Sequence, residues 1–219
     1  MATLHHSSFC PHSRFIRIVL GEYGTATVHE AQSRTGLMRP YLRPIYPDAR
    51  AAGSAITVSC QPGDNLMIHK ALSTLMPGDV LVIDGDADVS RALVGEIMMS
   101  YAKSRGAVAF VVDGAVRDAD SYETKQFPCW SRGINLRGPY KDGPGSINVP
   151  VVVGTMRVNP GDIILCDGDG VVAIPAEKAA EVAVKAQEKV DAEVATLKAI
   201  AAGTYSAPWV DEALKAKGM

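Results

Sequence analysis

No stretch of this sequence approaches the ~20 consecutive apolar residues that a membrane-crossing helix requires. The segment Met1 to Cys10 holds two histidines and no apolar run, so it does not read as a secretory signal. An excess of either charge is missing too: 22 Lys and Arg stand against 24 Asp and Glu, a formal net charge of −2 with a pI near 6.2. That balance gives no electrostatic case for nucleic acid or an anionic membrane, so an anionic substrate would have to be held by local groups. The four thiols (Cys10, Cys60, Cys129, Cys166) are widely spaced with no CxxC pair. They read as reduced core or surface cysteines of a cytoplasmic protein and speak against a zinc site. Internal repeats, low-complexity linkers and the glycine-rich loop expected of a nucleotide-binding methyltransferase are also lacking.

What is present is an ordinary globular composition, 47% apolar and 21% charged over 219 residues, the size of one α/β domain. Residues 1–50 read as irregular, with a helix within Phe15–Tyr23 and a Pro-rich stretch over Met38–Asp48. Ala51–Cys60 has strand character, and Asp64 or Asn65 can cap a helix over Leu66–Leu75, ahead of Pro77. The clearest unit follows. Pro77-Gly78 introduces the apolar strand Asp79–Asp84; the polar loop Gly85–Ser90 leads to a helix ending near Arg105-Gly106; strand Ala107–Val112 ends at a turn, Asp113-Gly114. Strand, helix and strand in this rhythm imply a right-handed parallel crossover.

Beyond it, Asp118–Lys125 reads as a short helix, Pro128–Ile134 as a strand, and Arg137–Ser146 as a Gly/Pro-rich charged loop. Three short β runs (Asn148–Val153, Asp162–Cys166, Val171–Ile174) precede an amphipathic helix over Ala176–Ala202 and one more short helix within Thr204–Met219. The expectation is one α/β domain over residues 1–219 with a mixed central sheet and a helical C-terminal segment, 176–219.

The crossover places chemistry at one sheet edge. Its helix starts at the C-terminal end of the first strand, and the parallel second strand returns to that edge, where ligands of open α/β sheets bind. If the helix begins near Gly95, Glu96 sits beside Arg117 and Asp118. A guanidinium there can grip a carboxylate or stabilise an enolate oxygen, and the carboxylate can hold a divalent ion. On its chemistry alone, the dipeptide reads first as a turn making a surface ion pair. Gly95 is either a close-packing glycine or, with the amides of Ile97 and Met98, part of a carboxylate cradle at a helix start. The run Asp167-Gly-Asp-Gly170 has too few ligands for a calcium loop and reads as a hairpin turn. His69, near Leu66, Leu72 and Leu75, reads as a satisfied structural histidine. His5, His6, His12 and His29 form no metal pattern.

The run Gly95-Glu96 followed by Asp113-Gly-Ala-Val-Arg-Asp118, with 20 residues between Glu96 and Arg117, resembles the signature of the 4-hydroxy-4-methyl-2-oxoglutarate / 4-carboxy-4-hydroxy-2-oxoadipate aldolases. These are class II pyruvate aldolases of the fold shared with regulator of ribonuclease activity A. Similar segments are Asp64–Lys70, Pro77–Val82, Gly145–Val151, Pro160–Asp162 and Asp169–Val172; Gly24–Ala31 looks like the carboxy-hydroxy-oxoadipate branch. The resemblance covers residues 20–200.

It implies a swivelling-domain-like α/β fold with α/β/β/α layers. It also implies a Mg2+- or Mn2+-dependent cleavage of a 4-hydroxy-2-oxo acid, 4-carboxy-4-hydroxy-2-oxoadipate or 4-hydroxy-4-methyl-2-oxoglutarate, within aromatic-acid (protocatechuate/gallate 4,5-cleavage) degradation, with oxaloacetate decarboxylation as a side activity. Asp118 then ligates the metal and Arg117 contacts the pyruvyl group. Glu96 stands where the family has an acidic residue, often Asp, that holds a water. A glutamate from a neighbouring subunit's C-terminal helix matches Glu193 better than Glu188. Lys141 is a candidate for the distal substrate carboxylate. Ser121 departs from the family, many members of which have an acidic residue there. Trimers or hexamers with sites between subunits are implied. The alternative is a non-catalytic regulator of an RNA-degrading enzyme acting by protein–protein interaction; such regulators typically keep the arginine and lack the adjacent aspartate.

Overall fold

The computed structural model describes residues 19–219. The first four residues of the helix expected within Phe15–Tyr23 lie outside the described residues, as do Cys10, His5, His6 and His12; residues 19–21 are helical. The described residues form two compact units, the first ending at Ala186 and the second Gln187–Met219. The first contains α1 (Thr25–Ala31), β1 (Arg43–Pro44), β2 (Ala51–Cys60), α2 (Leu66–Leu72), β3 (Asp79–Asp84), β4 (Ala92–Val94), α3 (Glu96–Ser104), β5 (Ala109–Val116), α4 (Ala119–Thr124) and β6 (Cys129–Ile134). These are followed by β7 (Gly145–Ile147), β8 (Val151–Val153), β9 (Met156–Val158), β10 (Ile163–Cys166) and β11 (Val171–Ile174). Helix α5 (Ala179–Ala201) crosses the boundary in sequence, and α6 (Pro208–Ala216) belongs to the second unit.

The fold class is the expected one, mixed α/β with a curled mixed sheet. The sheet runs β1-β6-β5-β3-β2-β10-β11, with β4 added beside β5 and β7 beside β2. Its centre, β2, β3, β5 and β6, is parallel. On the other edge of β2, β10 and β7 pair with it antiparallel, and β11 pairs antiparallel with β10. Central parallel strands are covered on both faces and need uninterrupted apolar runs. β5 is buried along its whole length and β3 over Asp79–Ile83. Each fully buried Val, Leu or Ile there contributes about 1.5–3 kcal/mol. The β8–β9 hairpin packs against β2 and β3, while α2 packs against β2, β7 and α3.

Two departures from expectation matter for function. The Asp113-Gly114 turn does not exist: both residues lie inside β5, which continues to Val116. Turn propensity loses because Asp113 is satisfied within the fold. Its Oδ1 accepts from Arg132 Nε and Nη2 at 2.7 and 2.6 Å, and its Oδ2 accepts from Gly154 N at 2.7 Å. Arg132 also stacks 3.7 Å from the Tyr41 ring centroid. The second departure is β4 (Ala92–Val94), a strand where the sequence leads from the Gly85–Ser90 loop directly to a helix. Beyond Asp113 the edge of β5 is left open by the end of β3, and β4 fills it in parallel, pairing Ala92 with Ala115 and Val94 with Val116.

Candidate active site

Strand β4 aligns the two halves of the site. Arg117 N donates to Val94 O at 3.0 Å, so the residues after β4 and after β5 leave the sheet side by side. Gly95 is the N-cap of α3 and Glu96 its first residue, as the expected helix start requires. Glu96 N then donates to Asp118 Oδ2 at 2.9 Å. Asp118 adopts the left-handed conformation (φ 57°, ψ 45°), which Asp tolerates better than most residues, and begins α4.

Arg117 Nε stands 3.7 Å from Asp118 Oδ2, with both side chains close to half exposed. An ion pair that loose and that wet adds little stability, and Arg117 also lines a cavity. Glu96 is braced on the other side: Ser121 Oγ donates to Glu96 Oε2 at 3.0 Å, and Lys125 Nζ lies 3.3 Å from Oε1. Ser121 therefore contributes a hydroxyl donor where many relatives are expected to have a carboxylate.

The cavity, about 380 Å³, is walled by β4, Gly95, Ile97, Met98, Arg117, Asn65, His69 and the segment Gly138–Lys141. It gathers Gly95, Ile97, Met98, Arg117 and Lys141, with Glu96 and Asp118 linked to its wall through the contacts above. Ile97 N and Met98 N belong to the first turn of α3, where amides have no partner within the helix. Glu193 and Glu188 lie on α5 in the second unit, both exposed.

His69 corrects the sequence reading. It is exposed and lines the cavity rather than filling the core. Partial burial against the wall, then the charge of Lys141, hold its pKa below the usual histidine value, favouring the neutral ring. Asn65, a candidate cap in the sequence, is also at the wall: its Nδ2 donates to Leu93 O at 2.9 Å. Its buried Oδ1 has no hydrogen-bond partner among the described residues. The segment Asp167–Gly170 is the expected hairpin turn, with Asp167 N donating to Gly170 O at 3.0 Å. The Asp167 carboxylate is occupied by Thr25 N and Oγ1 at 2.8 and 2.6 Å. Cys60, Cys129 and Cys166 are free and buried. Burial pushes the Cys60 thiol up to about 12, so it is inert as a nucleophile. Among the described residues no helix is long and apolar enough to cross a membrane.

Comparison with known proteins agrees with this architecture. The family model described as RraA-like, Aldolase/RraA, matches residues 25–173. A protein of Halalkalibacterium halodurans named "Putative 4-hydroxy-4-methyl-2-oxoglutarate aldolase" is 40% identical over 148 residues, 68% of this chain and 70% of that one. An uncharacterised protein of Pseudomonas syringae pv. tomato superposes with TM-score 0.79 at 27% identity, covering 88% of this chain and 94% of its own. The RNA-processing inhibitor RraA of Thermus thermophilis superposes with TM-score 0.65 at 27% identity, covering 69% and 92%. This chain belongs to the RraA-like aldolase/RraA family.

Proposed function

We propose that this protein is a class II pyruvate aldolase, dependent on a divalent metal. In this reading it cleaves 4-carboxy-4-hydroxy-2-oxoadipate to pyruvate and oxaloacetate, and 4-hydroxy-4-methyl-2-oxoglutarate at the same site. The observation that carries the reading is the β4–β5 register, which sets the start of α3 against Arg117 and Asp118.

The donor set is compatible with the metal. Among the described residues no three His, Cys, Asp or Glu side chains converge, so a full protein cage of the zinc or calcium kind is not offered. A single half-exposed carboxylate, Asp118, beside an open cavity suits Mg2+ or Mn2+, which keep most positions for water and substrate oxygens. When bound, such an ion supplies Lewis-acid polarisation of the 2-oxo group.

The chain's own groups do the rest. The amides at the start of α3 receive the substrate's 1-carboxylate, where N–H groups and the helix dipole favour an anion. Arg117 presents its cation to the 2-oxygen, on which negative charge grows as the C3–C4 bond breaks. Glu96, braced by Ser121 and Lys125, orders the water that takes the C4 hydroxyl proton. The C4–O bond becomes a carbonyl, and the electron pair of C3–C4 moves to C3 as the pyruvate enolate, which is then protonated. Lys141 holds the distal carboxylate. No Schiff-base lysine is called for. Glu193 of a neighbouring copy completes the site in a homotrimer or a pair of trimers. In support, Ile97, which lines the cavity, is 83% exposed in the single chain, and Leu136, two residues before the wall segment Gly138–Lys141, is 89% exposed.

The test is pyruvate release from 4-carboxy-4-hydroxy-2-oxoadipate after chelation, with and without added Mg2+, by wild type and Asp118→Ala. Release restored by metal in wild type alone is expected. The likeness to RraA of Thermus thermophilis favours the second reading, a regulator acting by protein–protein contact. No release by the folded wild type under any condition would transfer the assignment to it.

Glu96→Gln separates proton removal from enolate stabilisation. Oxaloacetate decarboxylation has no hydroxyl proton to lose, so kcat for aldol cleavage should fall ~10²–10⁴-fold while decarboxylation falls much less. Equal losses in the two assays would remove Glu96 from the proton-transfer role.

A further inference from the structure

The segment 137–146 forms one wall of the cavity and carries Lys141, yet it contains only a short stretch of strand. Its order comes from Asp64, a carboxylate 3% exposed at the start of α2. Asp64 Oδ2 accepts from Asp142 N at 2.6 Å and Gly143 N at 3.0 Å, while Oδ1 accepts from Leu66 N at 2.9 Å. The neighbouring backbone joins in: Tyr140 N donates to Gly63 O at 2.8 Å and Asn65 N to Tyr140 O at 3.0 Å. Lys141 is thus bracketed on both sides by bonds to Gly63–Asn65. Arg91 grips the same loop from β4's approach, donating to Gly138 O at 2.6 Å and Tyr140 Oη at 2.7 Å, with its guanidinium 3.8 Å from the Tyr140 ring centroid.

We infer that Asp64 is a positioning residue that sets Lys141 at the cavity, and so governs affinity for the distal carboxylate of the substrate. The inference rests on the aldolase reading above. A carboxylate is needed because both oxygens accept. Asparagine would present an NH2 donor to one set of N–H groups and lose it. Burial works against ionisation of Asp64, but the three backbone N–H donors outweigh it and hold its carboxyl below the ordinary range. The clamp therefore stays charged at neutral pH. It adds stability above the unfolded-state pKa that is lost as pH falls through the lower, folded-state value.

Two reactions of the Mg2+-loaded enzyme test this. Cleavage of 4-hydroxy-4-methyl-2-oxoglutarate uses a distal carboxylate; exchange of pyruvate methyl protons with solvent, followed by NMR in D2O, does not. In Asp64→Asn, KM for cleavage is expected to rise about tenfold or more, the loss of one charge-assisted contact. The pyruvate exchange rate and its KM should stay within about twofold of wild type, within the error of additive effects. Arg91→Met, which frees the loop from its other side and leaves α2 untouched, should give the same split. Equal changes in both reactions, or unchanged KM for cleavage, would overturn the inference. A wild type that neither releases pyruvate nor exchanges its methyl protons would instead overturn the aldolase reading.

Discussion

Arg117→Ala is expected to abolish both aldol cleavage and oxaloacetate decarboxylation, each by ~10²–10³-fold or more in kcat. Both reactions pass through an enolate of pyruvate, and the guanidinium is the one side-chain cation on the residue adjoining Asp118 that also lines the cavity. Loss through unfolding is not expected. The Arg117 side chain is close to half exposed and its nearest carboxylate contact is 3.7 Å, so truncation removes little packing. The backbone bond from Arg117 N to Val94 O survives any side-chain change. The checks are steady-state rates with each substrate and the melting temperature. Substantial activity in either assay, with the protein folded, would remove Arg117 from the charge-stabilising role.

Gly95→Ala should cost nearly as much activity, from the addition of a single carbon. Gly95 has extended backbone angles (φ −154°, ψ −167°) that alanine also adopts, so no conformational penalty arises. The conflict is one of space. A Cβ there would stand 2.5 Å from Asp118 Oδ2, 2.9 Å from Arg117 Cγ and 3.1 Å from Arg117 Nε. Both side chains are partly exposed and can swing away, so the fold yields at small cost. What is displaced is the proposed metal ligand and the proposed enolate cation together. A misplacement of about 1 Å is enough for a loss of ~10²-fold. The expected result is a melting temperature close to wild type with metal-dependent pyruvate release reduced ~10²-fold or more. Full activity would mean that Asp118 and Arg117 do not act from the positions seen here.

The strands that could be read from sequence were those whose apolar runs are punctuated by Gly, Pro or Asp. Ala51–Cys60, Asp79–Asp84 and Val171–Ile174 begin and end as expected. Helix α2 stops at Leu72 rather than Leu75, and the expected β run from Asn148 starts only at Val151. β9 was not read at all, since three residues after a turn carry too little periodicity. The adjacency of Glu96 to Arg117 and Asp118 was legible because a parallel crossover returns the chain to the same edge. The device that enforces it was not, since Ala92-Leu-Val94 is indistinguishable locally from the apolar lead-in to a helix. Asp113-Gly114 has turn chemistry, and only the long-range partners Arg132 and Gly154 explain its place in a central strand. His69 followed a helical apolar pattern, but its position on α2 faces the cavity. Ser121 looked like a loss and proves to be a donor to the longer carboxylate of Glu96.

The cavity is built from contacts of very different reach along the chain. Glu96 and Asp118 meet across 22 positions, whereas Asp64 meets Asp142 and Gly143 across 78 and 79. For a flexible chain, loop-closure entropy grows with the logarithm of that separation, so tying down the Lys141 segment costs about 1 kcal/mol more than bringing the acidic pair together. The β4–α3–β5 crossover thus holds its reactive groups through nearby chain alone. The wall opposite depends on the sheet having already gathered distant segments, and its order is correspondingly a property of the whole fold.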